Sequence, residues 1–117
     1  MRKPPFYKSF LNSIHGVFWM LKSERNFQLE IIGLILNLFL IVFLKLNATD
    51  TALILIVSFA VLSLEILNTA AEKICDIVQP EFDERVKIIK DISAAAVVLM
   101  SFAAICVGIL VYWKYIF

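Results

Sequence analysis

The chain has 117 residues, 62% of them hydrophobic and 18% charged, with a formal net charge of +1 and a mean hydropathy of +0.89. A soluble domain holds about 45–50% apolar and about 25% charged residues, and so short a chain has too little interior to hide the excess; a soluble monomer is excluded. The near-neutral balance gives no general attraction to nucleic acid. Three glycines and three prolines leave little turn material for an all-β domain, and the expected class is an all-α integral membrane protein.

The basic start Arg2-Lys3-Pro4-Pro5 is like that of a signal peptide, but no uninterrupted apolar stretch or small-residue cleavage site follows. From 6 to 22 the apolar side chains Tyr7, Phe10, Leu11, Ile14, Val17, Phe18 and Leu21 recur at helical spacing, with Lys8, Asn12, Ser13, His15 and Lys22 largely opposite. Such a helix lies in a membrane interface with its apolar face down. A polar break, Ser23-Glu24-Arg25-Asn26, precedes the first span, 29–46, which is bounded by Glu30 and Lys45 and interrupted by Asn37. Asn47-Ala48-Thr49-Asp50 reads as a turn in which Asp50 or Thr49 caps the next helix. That helix spans 51–72 and continues to about 78, where Pro80 stops it. A charged connector, 81–91, leads to the longest uncharged stretch, 92–113, with Tyr112, Trp113 and Tyr115 as an aromatic belt at its end. One interfacial helix and three transmembrane helices thus account for the chain, with no internal repeat or linker.

Orientation follows from the basic residues. Arg2, Lys3, Lys8, Lys22 and Arg25 precede the first span, and Lys73, Arg85, Lys87 and Lys90 flank the second connector. Only Lys45 and Lys114 lie on the other side, which puts the amino terminus and second connector in the cytoplasm. Cys75 and Cys106 have no histidine or second cysteine at metal-ligand spacing and read as packing residues.

The second span carries the chemistry. Glu65, Asn68, Thr69, Glu72 and Asp76 stand at i, i+3, i+4, i+7 and i+11, within a sector of about 100° and over roughly 16 Å of helix. Amides and hydroxyls serve as helix glue in membranes. An acidic group at the centre of a span costs about 2.5–3.5 kcal/mol, so a stripe of carboxylates points instead to a cation or a proton. Hard divalent cations such as Mg²⁺ take oxygen ligands and share them with phosphates, and lysine is a common phosphate partner; Lys87, Lys90 and Asp91 are close by in sequence. No Gly-rich phosphate loop is present. Intramembrane acids also mark transport pathways, so the alternative is a non-enzymatic helical bundle, a proton-coupled transporter or an assembly subunit.

Glu65-Ile66-Leu67-Asn68-Thr69-Ala70-Ala71-Glu72-Lys73-Ile74-Cys75-Asp76, followed by Lys90-Asp91-Ile92-Ser93-Ala94-Ala95-Ala96-Val97, resembles the prokaryotic diacylglycerol kinase and undecaprenol kinase family. Ser13-Ile14-His15-Gly16 and Ser23-Glu24-Arg25-Asn26-Phe27 match it in order and spacing, and the Glu24–Phe27 and Pro80-Glu81-Phe82 pieces are nearer the undecaprenol kinase branch. The resemblance implies one lipid-kinase domain over 1–117, assembled as a homotrimer with composite sites in the plasma membrane, passing phosphate from ATP to a membrane lipid alcohol. It implies Glu65 as general base and Glu24 and Glu72 as ligands of the Mg²⁺ that bridges the ATP phosphates. It implies Asn12, Glu24, Glu72, Glu81, Asp83, Lys90 and Asp91 around the nucleotide, and Glu30, Glu65 and Asn68 around the lipid. The chain departs from the family where Phe82-Asp83 replaces a frequent Tyr-His and Gln28 a common Arg, positions that bear on substrate choice.

Overall fold

The computed structural model describes residues 3–117; Arg2, counted above in the orientation, lies outside them. Four helices follow in order: α1 (Phe6–Ser23), α2 (Arg25–Phe43), α3 (Ala48–Val78) and α4 (Glu84–Ile116). The described residues contain no strand. Three helices, α2 to α4, are long and apolar enough to cross a membrane; α1, at 18 residues, is not among them.

The break between α1 and α2 is narrower than the four polar residues suggest. Glu24 alone leaves the helix, with φ −113° and ψ 114°, and its N–H still bonds the Met20 carbonyl. Arg25 and Asn26 are already helical because Glu24 serves as the N-cap residue of α2, its carbonyl accepting from the Gln28 N–H at 3.1 Å. Gln28 Nε2 also donates to the Leu21 carbonyl at 2.8 Å, satisfying an acceptor in the last turn of α1 that the helix leaves open. The elbow is filled by Met20, Phe27 and Leu62, backed by Leu21, Ile31, Leu34 and Ile66.

At its far end α2 stops at Phe43, short of the expected 46. The Leu46 N–H reaches back to the Ile41 carbonyl and the Lys45 N–H to Val42, a Schellman ending that sets Lys45 at φ 55°. A lysine stands where glycine is usual, at a cost of about 1–2 kcal/mol for the left-handed backbone. The cap of α3 is Asn47, not Asp50 or Thr49: Asn47 Oδ1 accepts from the Asp50 N–H at 2.8 Å, so the helix starts at Ala48 rather than 51. Asp50 is instead 5% exposed and holds α4. Its carboxylate accepts from Lys114 Nζ at 3.0 and 3.1 Å and from Tyr115 Oη at 2.8 Å, while the Asn47 N–H donates to Tyr115 Oη at 3.1 Å.

Another polar knot joins the three spans. Tyr112 Oη donates to Asn37 Oδ1 at 2.8 Å, Asn37 Nδ2 to Ser58 Oγ at 3.3 Å, and Ser58 Oγ to the Ile54 carbonyl at 2.7 Å. The expected aromatic belt is thereby corrected: Tyr112 and Tyr115 turn inward as hydrogen-bonding groups, and Trp113 stays exposed. The charged connector is also shorter than 81–91. Asp83 caps α4 by accepting from the Arg85 N–H at 2.8 Å, and Lys87 pairs with Asp91 one turn on at 2.8 Å, so the charge run from Glu84 is helical.

α3 and α4 run side by side, α2 packs on α3, and α1 on α2. The chain measures 51 × 39 × 21 Å with a radius of gyration of 17.2 Å, against about 13 Å for a compact chain of this length. Large apolar side chains such as Ile35, Phe39, Leu99, Phe102 and Leu110 remain exposed. Their solvent is lipid or another protein surface.

Candidate active site

Helical spacing delivers the stripe on α3 as expected. Glu65 and Thr69 are buried, Asn68 and Glu72 half-buried, and Asp76 exposed near the helix end. From α2, Glu30 brings its carboxyl against that of Glu65, and Glu24 and Glu72 stand close enough for their charges to act on Glu65. The four carboxylates form one cluster, built by the α1–α2 elbow on one side and the α3 stripe on the other. A groove of about 460 Å³ opens from it, lined by Asn26, Leu29 and Glu30 of α2, Glu65 of α3, and Val97, Ser101 and Phe102 among residues of α4. Glu30 Oε2 and Asn68 Oδ1 are buried acceptors with no donor from the chain. Orphaned buried acceptors cost about 1–3 kcal/mol each, and what satisfies them is a donor such as a hydroxyl, or a cation.

A further recess, about 190 Å³, lies where α3 hands over to α4. It is lined by Asp76, Gln79, Glu81, Asp83, Lys87 and Lys90, with Phe82 among its apolar walls. Lys90 Nζ donates to Asp76 Oδ1 at 2.7 Å. The Arg85 side chain grips Asp83 through Nε at 3.2 Å and Nη2 at 2.9 Å, and with the backbone N–H it lowers the Asp83 carboxyl from 3.8 to about 2.

The sequence-based residues therefore fall into two neighbouring groups. Glu24, Glu30, Glu65 and Glu72 belong to the cluster, with Asn68 on the same stripe; Glu81, Asp83 and Lys90 line the recess. Asp91 is exposed and engaged by Lys87. Asn12 is exposed on α1 and lines neither recess. Asn26 lines the groove with no sequence signal beyond its motif, and the Asp76–Lys90 pair crosses from α3 to α4 and leaves no mark in spacing. Among the described residues no three His, Cys, Asp or Glu side chains gather as a ready-made metal cage. The donor chemistry nevertheless suits Mg²⁺, which is usually held by one or two carboxylates and by the phosphates of its substrate.

Fold and site define a small helical membrane protein whose carboxylates collect at one end of its spans, beside a charged recess. The chain belongs to the prokaryotic diacylglycerol kinase family, matching it over residues 11–112, and it is a kinase. It is similar to a Bacillus subtilis protein named undecaprenol kinase, 28% identical over 107 residues that cover 92% of this chain and 87% of that one. It is also similar to a Synechocystis sp. protein named diacylglycerol kinase, 34% identical over 106 residues that cover 90% of this chain and 61% of the relative. Membership of a kinase family sets aside the non-enzymatic bundle.

Proposed function

We propose that this kinase transfers the γ-phosphate of ATP to the hydroxyl of a membrane lipid alcohol, undecaprenol or diacylglycerol, with the whole chain acting as one catalytic domain. The observation that carries the reading is the Glu30–Glu65 carboxyl pair, Glu65 buried and Glu30 half-buried with one orphaned acceptor oxygen, set at the head of an apolar groove. A hydroxyl is the donor such a site lacks, and a hydrocarbon chain suits the walls. Glu65 accepts the hydroxyl proton; the freed oxygen bonds the γ-phosphorus as its bond to the bridging oxygen of ADP breaks. Glu30 and Asn68 hold the alcohol. Lys90, released from Asp76, contacts phosphate, and Glu81, Asp83, Asp91 and Asn12 surround the nucleotide.

Glu24 and Glu72 would hold Mg²⁺, which neutralises phosphate charge when bound. Positioning and electrostatics supply most of the rate in such transfers. The amino terminus and second connector face the cytoplasm, where ATP is, and the chains assemble as a homotrimer in the plasma membrane with sites completed by neighbouring copies. The open shape and the exposed apolar faces support that assembly. Protein in vesicles given Mg-ATP is expected to release ADP only when undecaprenol or diacylglycerol is added, and the faster of the two identifies the substrate. ADP release indifferent to both would overturn the reading.

A further inference from the structure

A second cleft, about 520 Å³, lies apart from the Glu30–Glu65 groove, between α1 and α3. Val17, Trp19 and Met20 of α1 and Ile66 and Ala70 of α3 make its walls apolar, and Ser13, Thr69 and Lys73 are its polar members. Gly16 leaves the α1 wall bare, since a Cβ there would meet nothing within 4 Å. Ile66 and Lys73 are two turns apart on α3, so the cavity runs roughly 10 Å along that helix, from the level of Glu65 toward the helix end.

Lys73 sets the character of this cleft. Its ammonium stands 5.3 Å from the centroid of the Trp19 ring, a cation–π contact that holds the charge at the rim without neutralising it. Arg85, Lys87, Lys90 and Lys114 each pair with a carboxylate, whereas Lys73 makes no ion pair among the described residues. An apolar slot with one uncompensated cation at its rim, beneath an amphipathic helix, complements an amphiphile with an anionic head.

We infer that the α1–α3 cleft binds an anionic phospholipid of the surrounding bilayer, its phosphate on Lys73 and one chain between Trp19 and Ile66. The bound lipid does not react, because a phosphate on Lys73 stands eight residues, about 12 Å of helix, from Glu65. It adds to the few direct α1–α3 contacts, the Lys73–Trp19 stack and Met20 against Leu62. A basic residue at an anionic membrane surface attracts lipid with about 1 kcal/mol, an enrichment of about fivefold.

The test uses the full chain with Trp113→Phe, leaving Trp19 as the sole tryptophan, in phosphatidylcholine vesicles without ATP. Brominated-chain phosphatidylglycerol is expected to quench Trp19 at about one fifth the mole fraction that brominated phosphatidylcholine requires. Lys73→Gln should abolish that preference and Lys73→Arg preserve it. Equal quenching by the two lipids, or a preference that survives Lys73→Gln, would overturn the assignment. Millimolar inorganic phosphate or ATP should leave the preference intact; if either erases it, the rim serves a soluble phosphate and the lipid site is wrong. Because no turnover is involved, failure here is distinct from failure of the kinase reading, which is assayed separately on the same preparation.

Discussion

Glu65 is buried on α3, and the charged groups that act on it are other acids. Were it a structural seam residue, Glu65→Gln would be neutral or stabilising, since an amide is easier to bury than a charge and still bonds across helices. As a general base it has no substitute: the amide cannot take a proton from a hydroxyl. Glu65→Gln is expected to melt no lower than the parent, bind Mg-ATP as before, and lose about 10²–10⁴-fold in lipid phosphorylation. Near-parental turnover removes Glu65 from the chemistry. Asp83 offers a test at the other group. Its carboxyl sits at about 2, below its ordinary 3.8, because Arg85 and a backbone N–H favour the charged form. Its contribution to the α4 cap is therefore complete above about 4 and is lost as pH falls toward 2. A carbon NMR titration in micelles should give a midpoint near 2, moving up toward 3.8 in Arg85→Ala; an ordinary midpoint in the parent contradicts the pairing.

At the scale of elements, periodicity revealed α1, uncharged apolar length the three spans, and helical spacing the single α3 face that carries Glu65, Glu72 and Asp76, because that face is a property of one helix. The partners across helices were hidden. Tyr112 and Asn37 are 75 residues apart in sequence, so a row of aromatics at a helix end read as a belt although two of its members turn inward. The Asn47-Ala48-Thr49-Asp50 turn offers three good capping side chains within four residues, and the engagement of Asp50 by Lys114 and Tyr115, across 64 and 65 residues, leaves no mark in that short stretch. Likewise, Glu30 entered the site only through resemblance, since its meeting with Glu65 depends on how α2 leans on α3. The Asp50–Lys114 pair should govern how α3 and α4 hold together at that end. Asp50→Asn and Lys114→Met are each expected to lower the thermal midpoint, and the double variant to lose less than the two losses summed, because the pair is coupled. Strict additivity in thermal unfolding would mean that the contact contributes nothing.

The whole molecule is a slab 21 Å thick, polar and chemically equipped at one end and tied by Asp50 at the other. Its orientation is testable with single cysteines in a Cys75→Ala, Cys106→Ala background. A membrane-impermeant thiol reagent outside intact cells is expected to label Cys at Asn47 and spare Cys at Glu84. The reverse pattern would put the recess on the side away from ATP.

The Asp50 knot also has a mechanical meaning. From Asp50 to Asp76 is about 39 Å of α3, with α4 alongside. The far ends are clasped by Lys114 and Tyr115, whereas the near ends are bridged by the exposed Lys90–Asp76 pair. The near ends are also joined by the short link 79–83, so α3 and α4 form a closed frame, clasped through Asp50 at one end and by the chain itself at the other. The recess that holds Lys90 lies at the chain-linked end, where the exposed Lys90–Asp76 pair can part without the helices separating, so opening it is a side-chain movement between two fixed rods.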